Sequence, residues 1–190
     1  MLHSSLLHEL ERIFGSSIPE IGFFFSRLDM ICVSNGTMVI RENQEANAVY
    51  FVEKGVLRTF LNIDEKQVNT EFFFENEFAT AFTSLSLQKI TSLNIEALED
   101  SRLVCIPRGL LEEMYSINPR WLAFGKFLFE KEFVKKCQRE TSFLKDDAKQ
   151  RYLKLIEQYP LIEQRVSLKH IASYLGIQPE TLSRIRSGKM

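Results

Sequence analysis

The residues from Val166 to Arg186, VSLKHIASYLGIQPETLSRIR, constrain the fold of this chain more than any other stretch. In both halves of it apolar residues recur at three- and four-residue spacing, which is typical of two short amphipathic helices. Ser167 stands where it can cap the first helix, and Gly176 stands where that helix should end. Pro179 favours a new helix start, because the N–H that proline lacks would have no partner there. The stretch therefore predicts two helices joined by a tight turn.

The outward face of the second predicted helix carries polar side chains that can contact DNA. They are Glu180, Thr181, Ser183, Arg184 and Arg186, joined by Ser167 and Lys169 at the start of the first helix. A recognition helix lies in the major groove, where an arginine donates two hydrogen bonds to guanine and a glutamate accepts one from cytosine. We assign these roles to Arg184 and Glu180. The alternative interpretation is a solvated helix face of mixed charge, but the cap, the glycine turn and the proline start in one register favour DNA binding.

The run YLGIQPETLSRI, residues 174–185, resembles the helix-turn-helix of the Crp/Fnr family of bacterial transcription regulators. The resemblance extends over nearly the whole chain and implies that Glu180, Ser183 and Arg184 are the base-reading positions. Their E-x-x-S-R arrangement is most similar to the Fnr branch. Pro179 stands where the catabolite-activator branch has a basic residue, so the operator sequence of that branch is not expected here.

The resemblance implies an α+β fold with three parts. An N-terminal antiparallel β-roll of the cyclic-nucleotide-binding type, with flanking helices, is expected over residues 1–118 as a sensor. A dimerisation helix follows at 119–143, and a helix-turn-helix domain at 144–190 has its wing truncated or absent, since only SGKM follows Arg186. Charge agrees with this division, because residues 144–190 hold nine Lys or Arg and five Asp or Glu, against 15 and 20 in the rest. A basic C-terminal part suits a phosphate-backbone partner.

The hydrophobic period changes from helical to strand-like at Ile31, after an amphipathic helix predicted over Leu2–Phe14 and a second over Ile18–Met30. Short runs between turn residues predict about seven or eight antiparallel strands in a small sandwich or roll. These runs include Thr37–Arg41, Ala48–Val52, Val56–Asn62, Val68–Phe74, Leu93–Glu99 and Arg102–Pro107. The phrases AVYFVEKGVLRTF, TEFFFENEFATAF and IEALEDSRLVCIP resemble the cyclic-nucleotide-binding roll of the same family.

The resemblance places the ligand site of the roll between residues 74 and 97. In nucleotide-binding members a glycine and a glutamate begin a short helix, and an arginine further on neutralises the phosphate. The candidate ligand contacts here are the matching positions Asn76, Glu77, Phe78, Thr91 and Ser92. Because the arginine position is neutral, a phosphate in a largely buried cavity would lack its partner. We therefore expect no cyclic nucleotide bound in the usual way and no cofactor, leave the effector unknown, and interpret Glu77 as a structural hydrogen-bonding residue.

A short helix over Pro107–Ile117 and a long one from Arg120 to about Phe143 follow the roll. The long helix has apolar residues on more than one face, so it needs burial on several sides. The resemblance assigns it to a homodimer, with contacts expected at Trp121, Phe124, Phe127, Leu128 and Val134. Such a dimer would set two recognition helices about 34 Å apart and read an inverted repeat. The alternative is a monomer whose helix is covered by the N-terminal helix and the C-terminal module. A further helix is predicted over Asp146–Tyr159.

Several other classes of protein find little support. Cys32, Cys105 and Cys137 are far apart and form no C-x-x-C pair, so neither a disulfide framework nor a zinc site is suggested, and no N-terminal cysteine cluster is available for iron–sulfur binding. Neither a phosphate-cradling motif nor a paired metal-ligand motif occurs, so we do not expect an enzyme. No apolar run reaches the roughly 18 residues of a membrane span, and we expect a cytoplasmic protein.

The expected partners are double-stranded DNA, a second copy of the chain and RNA polymerase, with no membrane. The alternative function is a cyclic-nucleotide or small-molecule binding module whose C-terminal helices dock a protein partner.

Overall fold

The computed structural model describes residues 4–15 and 18–188. Two helices open the chain, α1 over Ser4–Phe14 and α2 over Ile21–Ser26. Leu2 and His3, assigned to the first helix, lie outside the described residues, as do the last two residues of SGKM. Both helices pack on the roll, since Leu6, Leu10 and Phe24 are fully buried.

The roll consists of two four-stranded antiparallel sheets, as the sequence predicted. Its strands are β1 (Asp29–Val33), β2 (Met38–Ile40), β3 (Ala48–Lys54), β4 (Leu57–Ile63), β5 (Lys66–Phe73), β6 (Phe78–Ala79), β7 (Asn94–Ala97) and β8 (Ser101–Pro107), with a short helix α3 (Phe82–Leu87). One sheet has the order β1-β8-β3-β6 and the other β2-β7-β4-β5. Strand β5 therefore forms an edge of the second sheet.

Strand β1 corrects the helix predicted to run to Met30. Helix α2 ends at Ser26, and the residues from Asp29 onwards pair antiparallel with β8, where Asp29 lies opposite Cys105 and Val33 opposite Ser101. The phenylalanine-rich pattern before Met30 does not show this change, because its period is compatible with a helix up to the point where pairing with a distant strand begins. The short elements β6 and α3 were also not predicted.

The turn between β3 and β4 depends on Gly55. Its φ of +116° is rarely adopted by residues with a side chain, and a Cβ at this position would overlap the side chain and backbone of Ser101. The Gly55 N–H donates to Glu75 Oε1 at 2.9 Å. A glycine is required here by both the backbone conformation and the close approach of β8.

The chain is helical from Arg108 onwards. It comprises α4 (Arg108–Ile117), a 3₁₀ turn (Pro119–Trp121), α5 (Leu122–Lys145), α6 (Ala148–Gln158), α7 (Ile162–Arg165), α8 (Leu168–Leu175) and α9 (Pro179–Arg186). Asn118 caps the 3₁₀ turn by accepting from the Arg120 N–H at 3.0 Å. Asp147 and Gln150 form a capping box that fixes the start of α6, with bonds of 2.8 and 2.9 Å.

The buried residues form two clusters. The first fills the roll and takes in the 3₁₀ turn and the N-terminal half of α5. In that turn, the centre of the Trp121 ring lies 4.6 Å from that of Phe24 and 5.0 Å from that of Phe14. The second lies among α6–α9 and also includes Val56 and Phe72 of the roll. The C-terminal helices therefore pack directly on the β-roll.

Candidate DNA-binding surface and its contacts with the roll

Helices α8 and α9 form the helix-turn-helix predicted from residues 166–186. Ser167 Oγ accepts from the His170 N–H at 3.3 Å, which caps α8. Gly176 ends α8 in the left-handed region at φ +67°, and the Ile177 N–H donates to the Ala172 carbonyl at 3.0 Å. Across this turn the inward residues of both helices are buried together; they are Ile171, Ala172, Leu175, Leu182 and Ile185.

The outer face of α9 presents three of the predicted DNA contacts to solvent. Glu180, Ser183 and Arg184 are exposed, and Thr181 is half-buried beside them. Within the described part of the chain, the Arg184 guanidinium has no ion pair or hydrogen bond, so all its donors remain available. Ser167 and Lys169 are exposed at the start of α8.

Arg186 differs from Arg184 because its side chain is already bonded. Its Nε lies 2.6 Å from Glu163 Oε1, and the Tyr152 hydroxyl donates to the same oxygen at 2.9 Å. Arg186 therefore connects α9 to α7 and α6, and the structure gives it a role inside the helical module that the sequence pattern did not suggest.

The first connection between the roll and the helix-turn-helix centres on Arg58 of β4. Its side chain is 3% exposed and donates to Glu96 Oε2 at 2.6 Å, to Asn69 Oδ1 at 2.9 Å and to Gln67 Oε1 at 2.6 Å. Its guanidinium also lies 4.1 Å from the centre of the Phe60 ring. We define Arg58, Gln67, Asn69, Glu96, His170 and Ser173 as the Arg58 network.

Helix α8 is attached to this network by side-chain and backbone bonds. The Asn69 N–H donates to Ser173 Oγ at 3.0 Å, and Ser173 Oγ in turn donates to the Gln67 carbonyl at 3.0 Å. Asn69 Nδ2 donates to the His170 carbonyl at 3.0 Å. His170 Nδ1 lies 3.1 Å from Arg58 and must be the acceptor, because a guanidinium can only donate.

A second connection between the roll and the helical module is made by Arg165 of α7. Its two terminal nitrogens donate to the two oxygens of Glu75, at 2.8 and 2.7 Å, and its donors also reach Glu99 at 2.6 and 3.2 Å. The hydrogen bonds from Arg165, opposed by burial and helped by the Gly55 N–H, lower the pKa of Glu75 to about 2. The pair holds α7 against the loop after β5.

Glu77, the best match to a ligand residue, is bonded within the protein. Its Oε1 accepts from Lys135 Nζ of α5 at 2.9 Å, its Oε2 accepts from the Phe74 N–H at 2.9 Å, and the Tyr159 hydroxyl lies 3.4 Å away. The cavity beside it has a volume of about 10 Å³, which is room for about one water molecule. Phe78 is buried next to Phe51 and Phe124, with ring centres 5.0 and 5.4 Å away.

The other candidate ligand residues do not converge on Glu77 through any bond in the described chain. Thr91 is buried, its N–H donates to the Gln44 carbonyl at 2.9 Å, and its Oγ1 accepts from the Leu93 N–H at 2.9 Å. Ser92 is exposed, and Asn76 adopts the left-handed region at φ +67°. These residues shape turns of the roll in this structure.

The predicted dimer contacts on α5 need correction. Trp121, Phe124 and Leu128 are at most 3% exposed and belong to the core of the roll, so a partner chain cannot reach them. Phe127 is half-buried against the same core, and of the predicted set only Val134 is well exposed. The sequence showed that α5 is apolar on several sides but not which side faces the roll.

A different apolar stripe on α5 is open to solvent. Four of its members share one side of the helix and are each at least 45% exposed; they are Leu122, Phe129, Phe133 and Leu144, and the exposed Val134 lies on the neighbouring side. Leu122, Phe129 and Phe133 are spaced by seven and four residues, which is the spacing of a helix–helix seam. We call this set the α5 stripe.

Residues 4–15 and 18–188 contain no group of three or more His, Cys, Asp or Glu side chains that could hold a metal ion. In the same ranges, no helix has the length and apolar character needed to cross a membrane.

The placement of His170 predicts a pH-dependent attachment of α8. Burial, followed by the charges of Arg58 and Lys169, lowers the pKa of His170 from 6.5 to about 4. Above pH 6.5 the ring is neutral in both states, whereas between pH 6.5 and 4 only the unfolded chain takes up the proton, so stability falls. We expect a loss of about 1–2 kcal/mol between pH 7 and 4.5 after screening at this half-exposed ring.

This loss is measured by urea unfolding at several pH values, with His170→Gln as the comparison. Carboxylates such as Glu75 also titrate on acidification, so the contribution of His170 is the difference between the two profiles. The variant should lose less stability than the wild type between pH 6.5 and 4.5. Parallel profiles would show that protonation of His170 does not weaken the attachment.

Comparison with known proteins agrees with this geometry. Residues 31–118 match the family model of the cyclic nucleotide-binding domain. No curated protein matches the sequence. Among solved structures, FixK2 from Bradyrhizobium japonicum is similar with a TM-score of 0.74 and 18% identity, covering 85% of this chain and 83% of that one.

Two other solved structures give the same result. A putative transcriptional regulator of the Crp/Fnr family from Eubacterium rectale has a TM-score of 0.70 and 18% identity, covering 90% of this chain and 82% of its own. A CooA mutant from Carboxydothermus hydrogenoformans has a TM-score of 0.71 and 16% identity, covering 95% and 82%. Residues 31–118 thus form a domain of the cyclic nucleotide-binding type. The chain as a whole has the fold of the Crp/Fnr transcription regulators, which confirms the resemblance seen in its sequence.

Proposed function

We propose that the protein is a homodimeric, sequence-specific transcription regulator of the Crp/Fnr type that reads an inverted repeat. The observation that carries this proposal is the outer face of α9, where Glu180, Ser183 and Arg184 are exposed in one row and the Arg184 donors have no partner within the described chain. The helix has eight residues and is about 12 Å long, which fits the major groove. Its inner face is fixed by the buried Leu182 and Ile185.

The α5 stripe supports the dimer in this proposal. Phe133 is 70% exposed, and Phe129 is 45% exposed although its ring contacts that of Phe82, so much of both apolar side chains is left in water by their own chain. Burying them against the same face of a second copy would remove apolar area from water and set two α9 helices on one side of the dimer. The division into a roll at 1–118, a dimerisation helix at 119–143 and a DNA module at 144–190 is kept as part of the proposal.

The roll in this proposal does not take a cyclic nucleotide in the usual way. Glu77 is engaged by Lys135 and the Phe74 N–H, and the space beside it is about 10 Å³. Thr91 offers no charge to a phosphate and its hydroxyl is bonded to the Leu93 N–H. A nucleotide would need both a larger cavity and a cation that this position lacks.

The experiment that tests the function is selection of DNA by the purified full chain from a random-sequence library. The proposal expects an inverted repeat whose half-sites are centred about one helical turn, roughly 34 Å, apart. Recovery of no repeated sequence would contradict it and would favour the binding-module alternative.

Arg184→Ala is expected to weaken binding to the selected site by about 1–3 kcal/mol and to relax the preference at one base pair per half-site, because the alanine cannot donate to guanine. Fluorescence anisotropy on the selected site and on single-base variants of it measures both effects. Lys169→Ala is the matched control, since this exposed lysine is expected to contact phosphate and its loss should weaken all sequences alike. Equal loss for Arg184→Ala on every sequence would show that Arg184 does not read a base.

A further inference from the structure

A cavity of about 520 Å³ lies between the roll, α5, α6 and the end of α8, and it shares Lys135 with the small space beside Glu77. Its wall includes Thr70 and Phe72 of β5, Gln138 and Ser142 of α5, and Tyr174 of α8. The volume falls within the range that holds small-molecule ligands, roughly 300–1,000 Å³. The roll, the long helix α5 and the helical module thus meet around one cavity.

The wall of this cavity is strongly basic. Six basic side chains line it, against the single carboxylate of Glu71; they are Lys135, Lys136, Arg139, Lys145, Arg151 and Lys154. Three of them have acidic partners, because Lys135 pairs with Glu71 and Glu77, Lys136 with Glu71 and Glu132, and Lys154 with Asp146. Arg139, Lys145 and Arg151 have no carboxylate at ion-pair distance within the described chain.

Arg139 and Arg151 are held in place by neutral groups. Arg139 donates to the Tyr174 carbonyl at 2.9 Å, and Arg151 donates to the Leu175 carbonyl at 3.1 Å and to the Asp146 carbonyl at 2.7 Å. Both guanidiniums stack on the Phe143 ring, 4.5 and 4.8 Å from its centre. Both cations are therefore fixed at the cavity wall around the same Phe143 ring.

This arrangement leaves positive charge without a counter-charge. Burial lowers the pKa of Arg139, and the neighbouring charge of Arg151 also acts in that direction. An anion bound at these guanidiniums would supply the negative charge that both lack, and guanidinium groups match the oxygens of a phosphate in geometry. Carbonyl bonds orient each arginine before a ligand arrives, which lowers the cost of binding.

The remaining wall suits a flat ring. The Phe72 and Tyr174 rings lie 5.2 Å apart between centres, and Phe143 and Tyr159 also line the cavity. Aromatic walls with a few placed polar groups are typical of sites for planar ligands. The amide of Gln138 and the hydroxyls of Thr141 and Ser142 add hydrogen-bonding groups.

We propose that this cavity binds a phosphorylated compound of nucleotide size, with its phosphate on Arg139 and Arg151 and its ring against the aromatic wall. This cavity is not lined by Glu77, beside which a cyclic nucleotide would be expected, although Lys135 lines both spaces. A bound ligand would contact β5, α5 and α8 at once and so favour the arrangement in which the helix-turn-helix is docked on the roll. The binding step itself does not depend on DNA, so it can be tested apart from the proposed function.

Titration calorimetry of the full chain with AMP, adenosine and inorganic phosphate tests the proposal. AMP should bind at least about tenfold more tightly than adenosine, because the charged hydrogen bonds to the phosphate are lost in adenosine. Inorganic phosphate should bind more weakly than AMP and compete with it. No binding of AMP or phosphate at millimolar concentration would overturn the proposal.

Variants locate the site. Arg139→Gln and Arg151→Gln should each weaken AMP binding about tenfold or more. Lys145→Gln, an exposed residue whose replacement leaves the core intact, should weaken it a few-fold, which keeps the test valid if an arginine variant fails to fold. Arg102→Gln on the exposed side of β8 and Arg184→Ala on α9 are the controls and should leave AMP binding unchanged. Unchanged affinity in Arg139→Gln, Arg151→Gln and Lys145→Gln, or a loss in Arg184→Ala, would place the binding elsewhere and contradict the proposal.

Discussion

Replacing Arg58 with methionine should lower the free energy of unfolding by about 3–5 kcal/mol, because it leaves the largely buried carboxylate of Glu96 without its partner. Arg58 is 3% exposed and satisfies four acceptors at once, on Glu96, Asn69, Gln67 and His170. Methionine fills a similar volume, so the loss is electrostatic and not a cavity effect. Urea unfolding at pH 7 measures it.

Two further variants test whether the loss of stability comes from the unpaired carboxylate of Glu96. Arg58→Met combined with Glu96→Gln removes the stranded charge and should recover part of the lost stability. Arg102→Met, on the exposed side of β8, should change the free energy of unfolding by less than about 0.5 kcal/mol. A loss below 1 kcal/mol in Arg58→Met would show that the Arg58 network does not stabilise the fold.

Replacing Phe133 with glutamate should convert the proposed dimer into a monomer without unfolding it. The side chain is 70% exposed in the single chain, so a carboxylate there remains in water in the monomer but would be buried twice in a symmetric seam. We expect the monomer–dimer dissociation constant to rise at least about 100-fold, corresponding to roughly 3 kcal/mol. Sedimentation velocity over a concentration series measures this, and binding to the selected inverted repeat should be lost in parallel.

Leu87→Glu is the matched control for the dimer. Leu87 is 58% exposed on α3, outside the α5 stripe, and should tolerate the same charge without any change in association. An unchanged dissociation constant in Phe133→Glu would contradict the assignment of the α5 stripe. A wild-type chain that is monomeric at all concentrations would remove the dimer from the proposed function.

Local patterns in the sequence predicted the helix-turn-helix and most strands, because caps, turn residues and hydrophobic period are local signals. The Ser167 cap, the Gly176 turn and the Pro179 start all stand in the structure where the sequence placed them. Strand β1 was missed because it begins only two residues after the phenylalanine-rich helix α2, and neither glycine nor proline separates the two.

The contacts between the roll and the helical module could not be predicted from the sequence, because they join residues that are far apart in the chain, such as Arg58 and His170. Arg58 stands in the strand sequence VLRTFLN, where an arginine suggests a solvent-facing position. The run from Val56 to Phe60 is instead buried throughout, because α8 covers the outer face of the second sheet. The α5 stripe could not be predicted either, because the sequence of a helix that is apolar on several sides does not indicate which side packs against its own chain.

The position of β5 at the edge of its sheet has a consequence for solubility. Edge strands offer unpaired N–H and C=O groups to other chains, and proteins often cover them to prevent aggregation. Here α8 provides that cover, since Ser173 accepts from the Asn69 N–H and donates to the Gln67 carbonyl. A movement that separates α8 from the roll would therefore expose β5, whose unpaired backbone groups can pair with a strand of another chain. The form of the protein with α8 detached should be the one most prone to self-association.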